Sequence, residues 1–291
     1  MKKLLWCSCV LWLSACEKNI DFTLHESPAK LVVEAQIEND KAPVVVLTKS
    51  QSYFEQISPS ILANAFVRNA TVIISNGTQT HTLKEYAIPL APGYTAYYYS
   101  IDSSQLSTAF LGAFNTQYTL QIIAEGKEYN ANTTIPPLSK YPDSVYFKKV
   151  PQNPDTTKRN LFINITDPPG LGNYIRYFTK RNSLPFYPGF NSVFEDQVID
   201  GTSYYLQVPQ GVDKNDPPKP DDNFFQVQDT VTLKFCNIDK ATYTYWNTWE
   251  FAFQSIGNPF ASPNTVIGNI SNGALGSFCG YAAWYKTVIV Q

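Results

Sequence analysis

Histidine and methionine are nearly absent from this chain: 291 residues contain His25, His81 and a single Met. A Ser-His-Asp or Cys-His nucleophile site would have to use one of those two imidazoles. His25 lies in a polar stretch near the N-terminus, and His81 sits between two threonines of an alternating segment, where it is expected to face solvent. Neither is assigned a catalytic role. Charge is scarce as well. Charged residues make up 16% of the chain, against roughly 25% in ordinary globular proteins. A net charge of −2 excludes an electrostatic nucleic-acid binder. No P-loop and no Gly-x-Gly-x-x-Gly fingerprint occurs, and no cofactor is expected.

Cysteine is sparse, and the five present do not have zinc-ligand spacing. Nor is there an apolar run of the ~20 residues that a membrane-spanning helix requires. The longest, Leu4 to Leu13, follows Lys2 and Lys3 and has the length of a secretory h-region. It ends in Leu13-Ser14-Ala15-Cys16, which resembles a bacterial lipobox: small residues let the chain enter the signal peptidase, and the Cys16 thiol is the group that becomes lipidated. Residues 1–15 therefore read as a lipoprotein signal peptide, and 16–28 as a tether. Several acyl chains on one cysteine make a stable lipid anchor. The mature chain has net charge −4. Its remaining cysteines, Cys236 and Cys279, form an even pair in an oxidising compartment and predict a disulfide. A bridge closing about 43 residues would contribute roughly 4 kcal/mol on the chain-entropy model; two buried free thiols are the alternative.

What the chain has in quantity is aromatic residues and proline: 19 Tyr, 18 Phe, 5 Trp and 20 Pro. With 44% hydrophobic residues, this mix specifies strands joined by Pro-rich turns. From Ala29 to Pro137, about seven short apolar or alternating runs follow one another. They include Leu31–Ile37, Val44–Thr48, Ala65–Val67, Thr71–Ile74 and Tyr118–Ile123, with turn signals at Asn76-Gly77 and Glu125-Gly126-Lys127. The expected fold class is mainly β. An N-terminal immunoglobulin-like β-sandwich over 29–137 is followed, after Pro136-Pro137, by a β-rich domain over 138–291 carrying one short helix. That helix is predicted over Lys240–Phe253 with Asp239 as N-cap, and Tyr243, Trp246, Glu250 and Phe253 share one face.

Candidate sites are few. Glu195, Asp196 and Asp200 could pair for glycoside hydrolysis, but Phe194 to Gly201 also reads as a loop ending in an Asp-Gly turn. Oxygen clusters for calcium are conceivable at Asp196 and Asp200, or at Asp213, Asp216, Asp221 and Asp222. Neither segment has EF-hand spacing, so solvated acidic loops are the favoured reading and no metal site is assigned. Exposed aromatics can stack on sugars or anchor a partner. The candidates for ligand or partner binding are Phe186 and Tyr187, whose flanking prolines oppose sheet membership, with Tyr204 and Tyr205.

Asn258-Pro259-Phe260-Ala261 followed by Asn269-Ile270-Ser271-Asn272-Gly273-Ala274-Leu275-Gly276-Ser277-Phe278 resembles the hallmark of the Bacteroidetes lipoproteins called "domain of unknown function 4249". Asp143-Ser144-Val145, Asp167-Pro168, Asn173-Tyr174-Ile175-Arg176 and Phe194-Glu195-Asp196 are similar in the same order. Where that family has Gly-Leu-Gly, this chain carries Gly273-Ala274-Leu275-Gly276. The resemblance implies an outer-membrane lipoprotein encoded beside a TonB-dependent outer-membrane transporter; it implies no activity and supplies no catalytic residues. The expectation is therefore a non-enzymatic, cell-surface accessory or binding lipoprotein with the transporter as partner. The alternative is a structural or adhesive surface protein. Glu17 and Asp21, offset by Lys18, form a weak surface-export signal after Cys16.

Overall fold

The computed structural model describes residues 28–52, 58–91, 94–196, 200–216, 223–258, 260–262 and 264–291. The leader, Cys16, His25, Asp221 and Asp222 lie outside the described residues.

Apolar side chains at every second position produce half-buried strands. Strand β1 (Leu31–Glu38) buries Leu31, Val33, Ala35 and Ile37. It is followed by β2 (Val44–Lys49), the six-residue helix α1 (Pro59–Asn64), β3 (Thr71–Ser75), β4 (Thr80–Ala91), β5 (Tyr94–Ser100), β6 (Thr116–Ala124) and β7 (Lys127–Ile135). Residues 80–83 of β4 pair with β3, and residues 84–91 pair with β5. The long strand thus passes from one sheet region to another. Val33, Ile37 and Leu47 then share a core with Val72, Leu120, Ile122 and Ile135. The Glu125-Gly126 turn between β6 and β7 has φ values of 50° and 75°, the two left-handed residues that close a tight hairpin.

The second half comprises β8 (Ser144–Lys149), β9 (Lys158–Thr166), β10 (Tyr174–Arg181), β11 (Tyr187–Phe194), β12 (Ser203–Val208), β13 (Phe225–Gln226), β14 (Thr230–Ile238), α2 (Lys240–Gln254) and β15 (Leu275–Ile289). A four-stranded sheet built on β9 packs Leu161, Ile163 and Ile165 against Ile175 and Tyr177 of β10 and Val231, Leu233 and Phe235 of β14. The opposite face of β10, β14 and β15 is covered by α2. The helix runs over 240–254, and the Asp239 carboxylate accepts from Thr242 N–H at 2.8 Å.

Strand β15 connects the two halves. It runs parallel to β1 (Val33 opposite Gly276) and antiparallel to β14 (Cys236 opposite Ala283). The result is one eleven-stranded sheet, β11-β10-β14-β15-β1-β2-β5-β4-β3-β6-β7. Phe278 and Ala282 of β15 enter the first core, and Trp284 packs on the second. The mainly β fold class with its C-terminal helix holds. The seven strands of 29–137, however, take an eighth neighbour from the far end of the chain.

Four local expectations are corrected. Ala65–Val67 is not a strand; Phe66 makes one isolated bridge to Thr48. His81 does not face solvent: the alternation of β4 turns Thr80 and Thr82 outward and His81 inward, 2% exposed. The prolines around Phe186-Tyr187 do not exclude the sheet, because β11 ends the strand order and an edge strand tolerates a missing N–H. Cys236 and Cys279 are both free and buried. Cys236 faces Ala283, four residues along β15 from Cys279, a separation of ~13 Å at the rise of a strand and far beyond the reach of a disulfide.

Two expected results follow. Burial pushes the Cys236 thiol up to about 12 and raises that of Cys279. Neither thiol should therefore label in the native, non-reduced protein, and both should label in denaturant without reductant. A thiol count unchanged by denaturation would contradict this. His81 accepts from Asp102 N–H through Nε2 (3.0 Å) and contacts Thr108 Oγ1 through Nδ1 (2.8 Å), which fixes it as a neutral imidazole. Burial lowers its pKa below the ordinary 6.5, against the opposing pull of Asp102. The unfolded chain therefore takes up this proton first, and stability falls as pH drops through 6.5 toward the lowered folded value. In urea melts between pH 7.5 and 5, His81→Phe should lose that part of the slope; an identical slope in both proteins would assign it elsewhere.

Candidate functional site: an aromatic cavity beside helix α2

Alternation along β10 sends Ile175 and Tyr177 into the second core and Arg176 to the helix side. There the Arg176 guanidinium lies 3.4 Å from the Trp246 ring centroid and donates to Ser192 Oγ (3.2 Å) and Tyr281 OH (3.0 Å). Ser192 N–H and its hydroxyl both donate to the Glu250 carboxylate, which is also paired with Lys214 Nζ at 3.3 Å. Arg176, Ser192 and Glu250 are all buried. Desolvation lowers the Lys214 pKa despite the opposing pull of Glu250. The ammonium sits 4.8 Å from the Trp249 ring centroid and 5.7 Å from that of Phe253, two stacked aromatics of α2.

Lys214 also lines a cavity of about 570 Å³. Phe190 and Phe194 of β11, Leu206 of β12, Val212 and Phe253 form its apolar walls, and Asn191, Gln207, Asp213, Asp216 and Asn223 supply polar groups. Tyr187 donates its phenol to Asp213, and its pKa is raised by desolvation and by that carboxylate. A smaller cavity of about 260 Å³ lies between α2 and the β1–β2 hairpin, lined by Tyr245, Trp246, Trp249 and Glu34. A concave apolar surface with a few fixed polar groups is suited to holding a ligand.

The four aromatics chosen from sequence do not converge. Tyr187 does not line the cavity and reaches it only through its hydrogen bond to Asp213, which does. Phe186 packs edge-on against Tyr285 at 5.8 Å. Tyr204 is packed on the second core, and Tyr205, its neighbour on β12, is 71% exposed. Phe190, Phe194, Lys214 and Glu250 carry the site instead. One signal for them was present in the sequence: Glu250 interrupts the aromatic face predicted for α2, a carboxylate where burial demands a partner.

In the acidic segment read as solvated, Asp200 is exposed but Asp196 is not. Asp167 and Asp196 are buried, and their donor atoms lie within 4.8 Å of each other and of Asp200. The cationic partner of Asp167 is Lys140 Nζ. Asp196 accepts from Gly172 N–H and Asn173 N–H (3.1 Å each) and from Asn173 Nδ2 (3.0 Å). Burial alone would raise its pKa, but these donors bring it below the ordinary value. A carboxylate held ionised in this way is unsuited to be the general acid of a glycosidase.

A family model described as Domain of unknown function (DUF4249) matches residues 17–286. The chain belongs to this family. No curated protein matches it in sequence. In this DUF4249 chain the Asn/Gly-rich segment is a fastener rather than part of the cavity. Asn269 Oδ1 accepts from Phe278 N–H (2.8 Å), and its Nδ2 donates to Asn132 O (2.9 Å). Ser271 Oγ accepts from Asn130 N–H (2.7 Å), and Asn272 Nδ2 donates to Glu128 O (3.1 Å). The segment thus lies along β7 and delivers β15 to its place beside β1.

Proposed function

We propose that this protein is a lipid-anchored, non-enzymatic binding lipoprotein of the outer membrane, exposed at the cell surface and working with a TonB-dependent transporter. Cys16 is its anchor, and the cavity beside α2 is its ligand site. The supporting observation is that cavity: an aromatic-walled space of about 570 Å³ whose one lysine is already paired with Glu250. Such a site offers stacking surface and hydrogen-bonding groups, and its charged pair is committed to structure rather than to proton transfer.

The test is purification of the tagged protein from detergent-solubilised outer membranes. A transporter barrel should co-purify, and a preparation free of any barrel would overturn the partnership. Cys16→Ser should move the protein from the membrane fraction to the soluble fraction, because the acyl chains on Cys16 are the anchor in this reading. Retention of the variant in the membrane would refute lipid anchoring through Cys16.

A further inference from the structure

Lys140 lies between β7 and β8, and Asp167 directly follows β9. Their side chains are 2% and 0% exposed and in contact, Nζ to Oδ1. Both backbones are fixed. Lys140 N–H donates to Asn237 Oδ1 (2.9 Å), and its carbonyl accepts from Asn237 Nδ2 (2.6 Å). Asp167 N–H donates to Thr202 O (2.9 Å). Asp167 Oδ2 accepts from Gly201 N–H (3.2 Å), whereas Oδ1 has, among the described residues, no hydrogen-bond donor apart from the Lys140 ammonium it faces. A third group adjoins the pair: the Asp196 carboxylate, within 4.8 Å of that of Asp167 and also buried. The Tyr204 ring lies over the ammonium with its centroid 5.6 Å from Nζ.

An amine and a carboxyl pressed together by a fold and screened from water are reactants as much as an ion pair. Fixed proximity of this kind is equivalent to effective concentrations of about 10⁵–10⁸ M. A buried ion pair also carries a desolvation cost that a neutral amide does not. We propose that Lys140 and Asp167 condense into an intramolecular isopeptide bond. The ammonium first passes a proton to the Asp167 oxygen it faces, and the freed Nζ lone pair attacks Asp167 Cγ. The Nζ–Cγ bond forms, one Cγ–O bond breaks, and that oxygen leaves as water with two protons from the original ammonium. Ammonium plus carboxylate become amide plus water, with no change of oxidation state and no co-reactant. The product ties the connection between the two halves of the chain to the end of β9.

The experiment is tryptic mapping of the full-length, detergent-extracted and denatured protein by mass spectrometry. The bond blocks cleavage after Lys140. The expected product is a branched species joining residues 128–148 to residues 160–176, one water (about 18 Da) lighter than the two peptides together. Recovery of separate 128–140 and 160–176 peptides as the main products overturns the proposal. In Asp167→Asn the same linkage would release ammonia, so the deficit should change to about 17 Da; an unchanged deficit would place the bond elsewhere.

Discussion

Gly276→Ala is expected to lower unfolding stability by more than ~3 kcal/mol, a large share of the roughly 5–15 kcal/mol that holds a domain together. A Cβ at this position would lie 2.0 Å from the Val33 carbonyl oxygen and 2.8 Å from its carbon, and the backbone is left-handed at φ 93°. The atoms in conflict belong to β1, the hydrogen-bonded neighbour of β15, so no side-chain rotation relieves them. Gly273 provides the control, since it has φ 73° and nothing within 4 Å of an added Cβ. Gly273→Ala should lose only the conformational term, about 1–2 kcal/mol. Urea denaturation of the two variants measures the difference; equal losses would mean that the β1–β15 contact is not what Gly276 protects.

That contact also marks the limit of what the sequence discloses. Most strands of 29–137 were legible because they carry their own period-two pattern, as in Val33, Ala35 and Ile37 or Tyr118, Leu120 and Ile122. The helix was legible because Asp239 caps a run of aromatics at three- and four-residue spacing. Both are local signals. The parallel pairing of β1 with β15 joins residues more than 240 positions apart, and no local pattern encodes it. Strand β15 is buried on both faces over Ser277–Ala283, so its residues read as an apolar run without a preferred side.

The same reason explains the misplaced side chains. His81 between two threonines fits either face of a strand, and the decision came from Asp102 and Thr108 on a distant loop that offers both ring nitrogens a partner. A disulfide between Cys236 and Cys279 satisfied counting and compartment, but the register separates them on different strands. Lys140 and Asp167 carried no sequence signal as a pair, because burial of each is justified only by the other. The cavity was legible in part. Tyr187 and the face of α2 pointed to the region, but its walls at Phe190, Phe194 and Leu206 come from strands of two sheets.

Glu250→Ala should destabilise the protein by about 3–5 kcal/mol, the cost of breaking a buried pair and leaving a charge without its partner. Lys214 would keep its place against Trp249 and Phe253 with no counter-charge, and Ser192 N–H and Oγ would lose the acceptor they share. Removing the charge from both sides separates these effects. Lys214→Met with Glu250→Gln keeps an acceptor for Ser192 and fills the space beside the rings, so it should recover most of the loss. Thermal and urea melts of wild type, Lys214→Met, Glu250→Gln and the double variant form the cycle, with Glu250→Ala measured beside them. If the double variant is as unstable as Glu250→Ala, the unpaired ammonium is not the cause, and the hydrogen bonds from Ser192 become the better account. If it recovers stability, it also presents a cavity of nearly unchanged shape without the lysine charge. Ligand binding by that variant would then assign recognition to the aromatic walls, and its loss would assign recognition to Lys214.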